Sequence, residues 1–381
     1  MSDSSSVTWF HVENAGEIAS PALLLWPDRV QANIGHMLAA VEGDPTRLRP
    51  HVKTHKLGEV VRLQLDAGIS CFKCATIAEV EMTAAAGAPD VLLAYQPVGP
   101  NIARMEAVMT LFPGVKFSAL VDDMANLKRI AAHFASAGKT LPLFVDIDCG
   151  MSRTGIAPGD AALDLCRALQ NTPGVAFAGL HIYDGHIHDL DPGDRGRHFD
   201  EAQHVVEPFY ARLGAEGIEV PLIVGGGSPA FPWHARLSAK FGGRYQCSPG
   251  TTLFWDAGYG TRCPDLPFIP AVALLVRVIS KPGTGRLCVD LGHKAVSGEN
   301  PIANRVRFPA LKDPTYLMQS EEHLVIETAS ADDLAVGDVL YGIPWHICPT
   351  VALHQEAVII REGRATGERW AIRSRDRRIT V

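Results

Sequence analysis

Basic runs are missing from this chain. No stretch of Lys and Arg exceeds a few residues, and the formal net charge of the 381-residue protein is −7. Nucleic acid and anionic membrane are therefore not expected partners. No apolar run approaches the ~18 residues of a membrane helix. The start, Met1-Ser-Asp-Ser-Ser-Ser-Val7, has neither a basic n-region nor an apolar h-region, so no secretory leader is expected. The eight cysteines include one CxxC, Cys71-Phe-Lys-Cys74. It has no second ligand pair at zinc-site spacing, and it reads as packing within a strand. A reduced, cytoplasmic protein is the expectation. No GxGxxG fingerprint follows the first apolar run, which argues against a dinucleotide-binding open sheet. Internal repeats and low-complexity tracts are absent too.

What is present is ordinary enzyme composition, 47% hydrophobic and 20% charged, with room for two domains. Short apolar runs alternate with amphipathic segments. The runs are Ala22–Trp26, Leu48–Lys53, Cys71–Ala75, Val91–Gln96, Phe117–Asp122, Leu143–Asp148, Phe177–Tyr183 and Leu222–Gly226. Near-continuous apolar character suits strands buried on both faces. Eight such strand–helix units predict an α/β fold, a parallel (β/α)₈ TIM-type barrel. After about residue 260 the texture becomes β-rich, with strands joined by turns. The expected division is 20–258 as the barrel, with 1–19 and 259–381 as a second, β-strand-rich domain. Within the latter, Val7–Ile18 is expected to add a strand.

Polar residues collect at the ends of the proposed barrel strands, which converge on one mouth in such a barrel. Lys53 ends the second run, in His51-Val-Lys-Thr-His-Lys56. Crowding by His51, His55 and Lys56 is expected to lower the pKa of its amine and suit it to Schiff-base chemistry. Arg153 follows the sixth run and Tyr183 ends the seventh. Gly225-Gly226-Gly227-Ser228 ends the eighth and opens a helix, where backbone amides can approach an anion. Cys247-Ser-Pro-Gly-Thr-Thr252 can supply further amides and a hydroxyl, through Gly250 and Thr251. A Schiff-base lysine and a phosphate cradle in one barrel mouth suggest pyridoxal 5′-phosphate. His186 and His188, just after Tyr183, are candidate general bases near neutral pH.

Four segments carry a family resemblance: Arg49-Pro-His-Val-Lys-Thr-His-Lys56, Asp146-Ile-Asp-Cys-Gly-Met-Ser-Arg153, Gly225-Gly-Gly-Ser228 and Ile343-Pro-Trp-His-Ile-Cys-Pro-Thr-Val351. From about Ser20 onward the chain resembles the D-threonine aldolase and D-serine dehydratase family, fold-type III enzymes related to the barrel of alanine racemase. The resemblance implies that Lys53 is the Schiff-base lysine, that Arg153 touches the cofactor ring and that Tyr183 lies beside it. It implies a divalent metal, zinc or manganese, at His346 and Cys348. An i, i+2 pair suits one face of an extended strand, and imidazole with thiolate favours zinc. In the family His-x-Cys is typical of dehydratases, while the text around Tyr95–Asn101 and Tyr183–His188 is closer to aldolase-like members. The expected activity is a pyridoxal phosphate- and metal-dependent lyase acting on a small β-hydroxy D-amino acid by retro-aldol cleavage. The alternative is dehydration to a 2-oxo acid and ammonia. A racemase or a non-catalytic cofactor-binding protein is a weaker reading, because either leaves the His-x-Cys pair or the second domain unused. The resemblance also implies a homodimer.

Overall fold

The computed structural model describes residues 9–241 and 243–381. These form two compact units. One comprises Gly35–Lys53, Gly58–Gly250 and Asp376–Val381. The other comprises the chain up to Ile34, Thr54–Leu57 and Thr251–Arg375. Among the described residues no helix is long and apolar enough to cross a membrane.

The first apolar run forms β1 (Ala22–Leu25). The next strands are β2 (Cys71–Cys74), β3 (Asp90–Leu93), β4 (Lys116–Val121), β5 (Leu141–Ile147), β6 (Val175–Ile182), β7 (Ile223–Gly225) and β8 (Tyr245–Cys247). β2 to β8 make one parallel sheet in sequential order. The segment 48–53 completes the ring by single bridges, Leu48 to Cys247 of β8 and His51 to Lys73 of β2. Four backbone bonds hold it: Arg49 N–H to Cys247 O (2.8 Å), His51 N–H to Pro249 O (2.8 Å), Val52 N–H to Lys73 O (2.9 Å) and Lys73 N–H to Pro50 O (2.9 Å). Leu92, Leu120, Phe144 and Val224 fill the space between strands. The intervening helices start where side chains accept their free amides. Thr76 takes the N–H of Glu79 at 3.1 Å and Asp123 that of Asn126 at 2.6 Å.

Two strand assignments differ from the pattern-based expectation. Ala22–Leu25 is a strand, but it pairs antiparallel with β9 (Val272–Gly283) and parallel with Glu356–Arg361. A strand central to any sheet is apolar on both faces, so its pattern does not name its partner. The eighth barrel position is instead taken by the three-residue β8, too short to show a period.

In the second unit, β9 is joined by β10 (Arg286–Val289), β11 (Val306–Arg307), β12 (Thr315–Gln319), β13 (Leu324–Glu327), β14 (Val339–Pro344), β15 (Glu356–Arg361) and β16 (Arg364–Ala371). With β1 they form a nine-stranded sheet whose pairs are antiparallel except β1 with β15. Its core packs Leu24, Trp26, Leu275, Ile343 and Ile360 with Phe10 and Val12. Of the segment Val7–Ile18, Val7 and Thr8 lie outside the described residues. The remainder makes turns and a short 3-10 helix, Ala15–Glu17, rather than a strand.

Candidate active site

Tyr183, at the end of β6, is the centre of a group of cations in the barrel unit. The amine of Lys53 lies 5.5 Å from its ring centroid, and the guanidinium of Arg153 lies 4.7 Å from it. A third cation was not expected: the amine of Lys73, on β2, also lies 5.5 Å away. The ring can fold back because residue 185 is glycine. A Cβ there would sit 2.4 Å from the ring. The backbone N–H of Lys53 donates to Nδ1 of the buried His51 at 3.3 Å, which fixes the turn carrying the lysine.

The expected crowding of Lys53 by His55 does not occur as a charge effect. His55 is fully buried, and desolvation pushes its pKa down to about 3. It is neutral, and the amine that shares the Tyr183 ring with Lys53, which the sequence pattern missed, is that of Lys73. The signal was present: Lys73, Asp146 and His181 are each polar residues inside otherwise apolar strands, where a charge needs partners.

The glycine run after β7 is braced from below. Gly226 has φ +99°, and a Cβ there would lie 2.4 Å from the His234 ring. His234 cannot yield easily. Its Nε2–H donates to Asp184 at 2.7 Å, and its Nδ1 accepts from the Tyr245 hydroxyl at 2.5 Å. Burial opposes the charge on Asp184, but His234 and the amides of Asp184 and Gly227 outweigh it and hold the carboxyl below its usual value. The N–H of Gly250 donates to the buried Ser228 hydroxyl at 3.2 Å. The two segments expected to cradle a phosphate are thus joined.

His186 and His188 are exposed on the loop after Tyr183. His188 Nδ1–H donates to the carbonyl of His186 at 2.7 Å. His186 approaches Gly150, on the loop that carries Arg153.

In the other unit, β14 stops at Pro344, and His346 is the N-cap of a short helix, Ile347–Val351. The His-x-Cys pair is therefore not on an extended strand as expected. The strand ends before His346, and the chain turns into the helix with Cys348 in its first turn. The two side chains still meet. Cys348 Sγ lies 3.0 Å from the Thr54 hydroxyl and 3.5 Å from that of Thr251. Thr251 is thus turned to the thiol. His346 Nδ1 pairs with Glu299. Burial disfavours the imidazolium, but Cys348, Glu299 and Asp256 overcome it and raise its pKa to about 9. Among the described residues no group of three or more His, Cys, Asp or Glu is arranged to hold a metal. All eight cysteines are free thiols.

The model of the alanine racemase N-terminal domain matches residues 27–256, and that of a putative serine dehydratase domain matches residues 271–360. The chain is 30% identical over 364 residues to a D-threonine aldolase of Arthrobacter sp., covering 94% of this chain and 93% of the relative. The chain belongs to the D-threonine aldolase and D-serine dehydratase family. A 3-hydroxy-D-aspartate aldolase of Paracoccus denitrificans (strain Pd 1222) is 29% identical over 358 residues, covering 91% and 90% of the two chains. The crystal structure of D-threonine aldolase from Filomicrobium marinum has a TM-score of 0.86 at 28% identity, covering 96% of this chain and 97% of that one.

This family implies pyridoxal 5′-phosphate, and the barrel unit of this member fits it. An amine and a guanidinium flank one aromatic ring, a serine hydroxyl is tied to a second loop, and a glycine run lacks the Cβ atoms that would block approach of an anion.

Proposed function

We propose that this chain is a pyridoxal phosphate-dependent lyase acting on β-hydroxy D-amino acids, cleaving them to glycine and an aldehyde. The observation that carries the reading is the placement of Lys53 and Arg153 around Tyr183, in the unit that also joins Ser228 to Gly250. The substrate class is taken from the aldolases that align over nine-tenths of the chain.

In this reading Lys53 anchors the cofactor by its amine, and His51 holds the turn that presents it. Tyr183 lies against the cofactor ring and Arg153 meets the ring's polar edge. Gly226, Gly227, Ser228, Gly250 and Thr251 receive the phosphate. Bound pyridoxal phosphate supplies an electron sink for the carbanion left at Cα. His346 and Cys348 would hold a divalent metal, zinc or manganese, which would polarise the substrate hydroxyl. His188 spends its Nδ1–H on the His186 carbonyl. Its neutral ring therefore carries the lone pair at Nε2, the atom that takes the β-hydroxyl proton. His186 is the alternate base. The cofactor-binding part corresponds to 20–258, and the β-rich remainder carries the metal pair. We place the protein in the cytoplasm as a homodimer, a state that light scattering of the purified chain checks.

A second reading, elimination to a 2-oxo acid and ammonia, is favoured by the serine dehydratase match over 271–360, which contains Cys348. D-threonine incubated with the cofactor-loaded protein and zinc or manganese separates the two. Acetaldehyde with glycine supports the aldolase. Formation of 2-oxobutanoate with ammonia replaces it by the dehydratase. Neither product set, with D-threonine and with 3-hydroxy-D-aspartate alike, removes the lyase reading.

A further inference from the structure

Lys73 is 1% exposed, and its amine meets an imidazole rather than a carboxylate. Nζ lies 3.4 Å from Nε2 of His181. His181 in turn gives its Nδ1–H to Asp146 at 2.6 Å. With that proton on Nδ1, the neutral ring presents a lone pair at Nε2, so Lys73 donates and the chain runs Lys73 to His181 to Asp146 across β2, β6 and β5. All three residues are buried. The same amine and that of Lys53 each lie 5.5 Å from the centroid of the Tyr183 ring. Two ammonium groups this close in a poorly solvated barrel repel strongly.

We propose that Lys73 is the charge partner of Lys53, taking up the proton that Lys53 gives up when its amine is bound covalently by a carbonyl. The proposal rests on the reading of Lys53 as the cofactor anchor. The balance is explicit. The ammonium of Lys53 gives up three protons as its nitrogen forms the double bond to the carbonyl carbon. The aldehyde oxygen leaves as water with two hydrogens, and the remaining proton moves to the neutral amine of Lys73. Without Lys73 that proton goes to solvent. The groups facing Lys73 set the direction. Burial and then the charge of Lys53 push its pKa down to about 7, with Arg153 adding to this and Asp146 and Asp184 opposing it. Burial keeps His181 neutral, against the pull of Asp146. Removing the charge of Lys53 removes one of the two largest causes, so the affinity of Lys73 for a proton rises.

Proton counting on cofactor loading tests this. The full-length protein is stripped of cofactor and reloaded with pyridoxal phosphate in weak buffer containing a pH indicator. Wild type is compared with Lys73→Met and Lys73→Arg. The first variant cannot take a proton, and the second is charged before and after. Wild type should bind up to about one proton more per site than either variant. The difference should be greatest just above pH 7 and vanish about one pH unit below it, where Lys73 is already charged. Equal counts in all three proteins across this range overturn the coupling. Lys53→Met guards the reading underneath. It should fail to retain the cofactor, and borohydride reduction of wild type should mark Lys53. If the label maps to Lys73 and Lys53→Met still loads, the anchor assignment itself is wrong and the coupling falls with it.

Discussion

A buried side chain takes the charge state its surroundings allow, not the one its type suggests. Lys73 and His55 both illustrate this. His55 becomes neutral chiefly by burial, with the charge of Lys56 adding to it, so it contributes no field to its basic neighbours. Lys73, with its pKa lowered to about 7, has a consequence for stability. Between about pH 7 and the ordinary lysine value near 10.4, the unfolded chain holds a proton on this amine that the folded chain does not. Stability from this residue therefore rises with pH across that window. The penalty is complete below the folded value and gone above the unfolded one. Lys73→Met should remove this dependence, on the order of 5 kcal/mol between the two limits, while costing about 1 kcal/mol for the bond lost by His181. Urea midpoints measured at either end of the window should separate in wild type and nearly coincide in the variant. Equal shifts in both proteins would mean that the folded amine is charged throughout. The sequence placed Lys73 inside an apolar run, but its partners His181 and Asp146 lie on two other strands, so the run alone did not show the network.

Elements place these residues, and the turn after β7 is the most constrained of them. Gly226→Ala puts a Cβ 2.4 Å from a ring held at both nitrogens, at φ +99°. The positive φ costs about 1–2 kcal/mol and the forced displacement about 1–3 more. Gly138→Ala, at φ +64° with open space around it, should carry the first cost alone. Thermal midpoints should fall more for Gly226→Ala, and only that variant should lose affinity for pyridoxal phosphate, by roughly tenfold or more. Similar losses in the two variants would show that backbone strain, not the His234 brace, governs the turn. The existence of this turn was legible in Gly225-Gly-Gly-Ser228. The brace was not, because Asp184, His234 and Tyr245 come from three separate segments with no shared motif. The strand runs from Cys71 to Gly226 were readable for a related reason: each is apolar on both faces and followed by an amphipathic helix. That pattern reports burial and period but not pairing. Ala22–Leu25 therefore looked like a barrel strand and proved to be the middle of the other sheet. His346 and Cys348 were singled out by the family resemblance, and their backbone was misread as an extended strand, since two residues cannot distinguish a strand end from a helix start.

At the scale of the whole molecule, the proposed cofactor residues and the proposed metal pair fall in different compact units. Lys53, Arg153, Tyr183 and Ser228 are in one, and His346 and Cys348 are in the other. The chain passes from the first to the second directly after Lys53 and again directly after Gly250. The residues that follow those two, Thr54 and Thr251, are the ones whose hydroxyls flank Cys348 Sγ. The thiol thus sits between Thr54 and Thr251, the residues that follow Lys53 and Gly250 in the chain. Sequence motifs locate each of these segments, but only folding brings Thr54 and Cys348 together. The separation also predicts separable losses. Chelation should abolish turnover of D-threonine while the visible absorption of the bound cofactor persists, because the metal donors and the anchoring amine are distinct groups. Lys53→Ala should do the reverse, losing the visible band while the chain still takes up zinc. Cys348→Asp replaces a soft donor by a hard one, so competition with a chromophoric chelator should show weaker zinc binding and a relative gain for manganese. If chelation bleaches the visible band, the metal is needed to hold the cofactor rather than to polarise the substrate. If the chelated protein turns over at the full rate, His346 and Cys348 have no part in the reaction, and the hydroxyl proton must be handled by His188 or His186 alone.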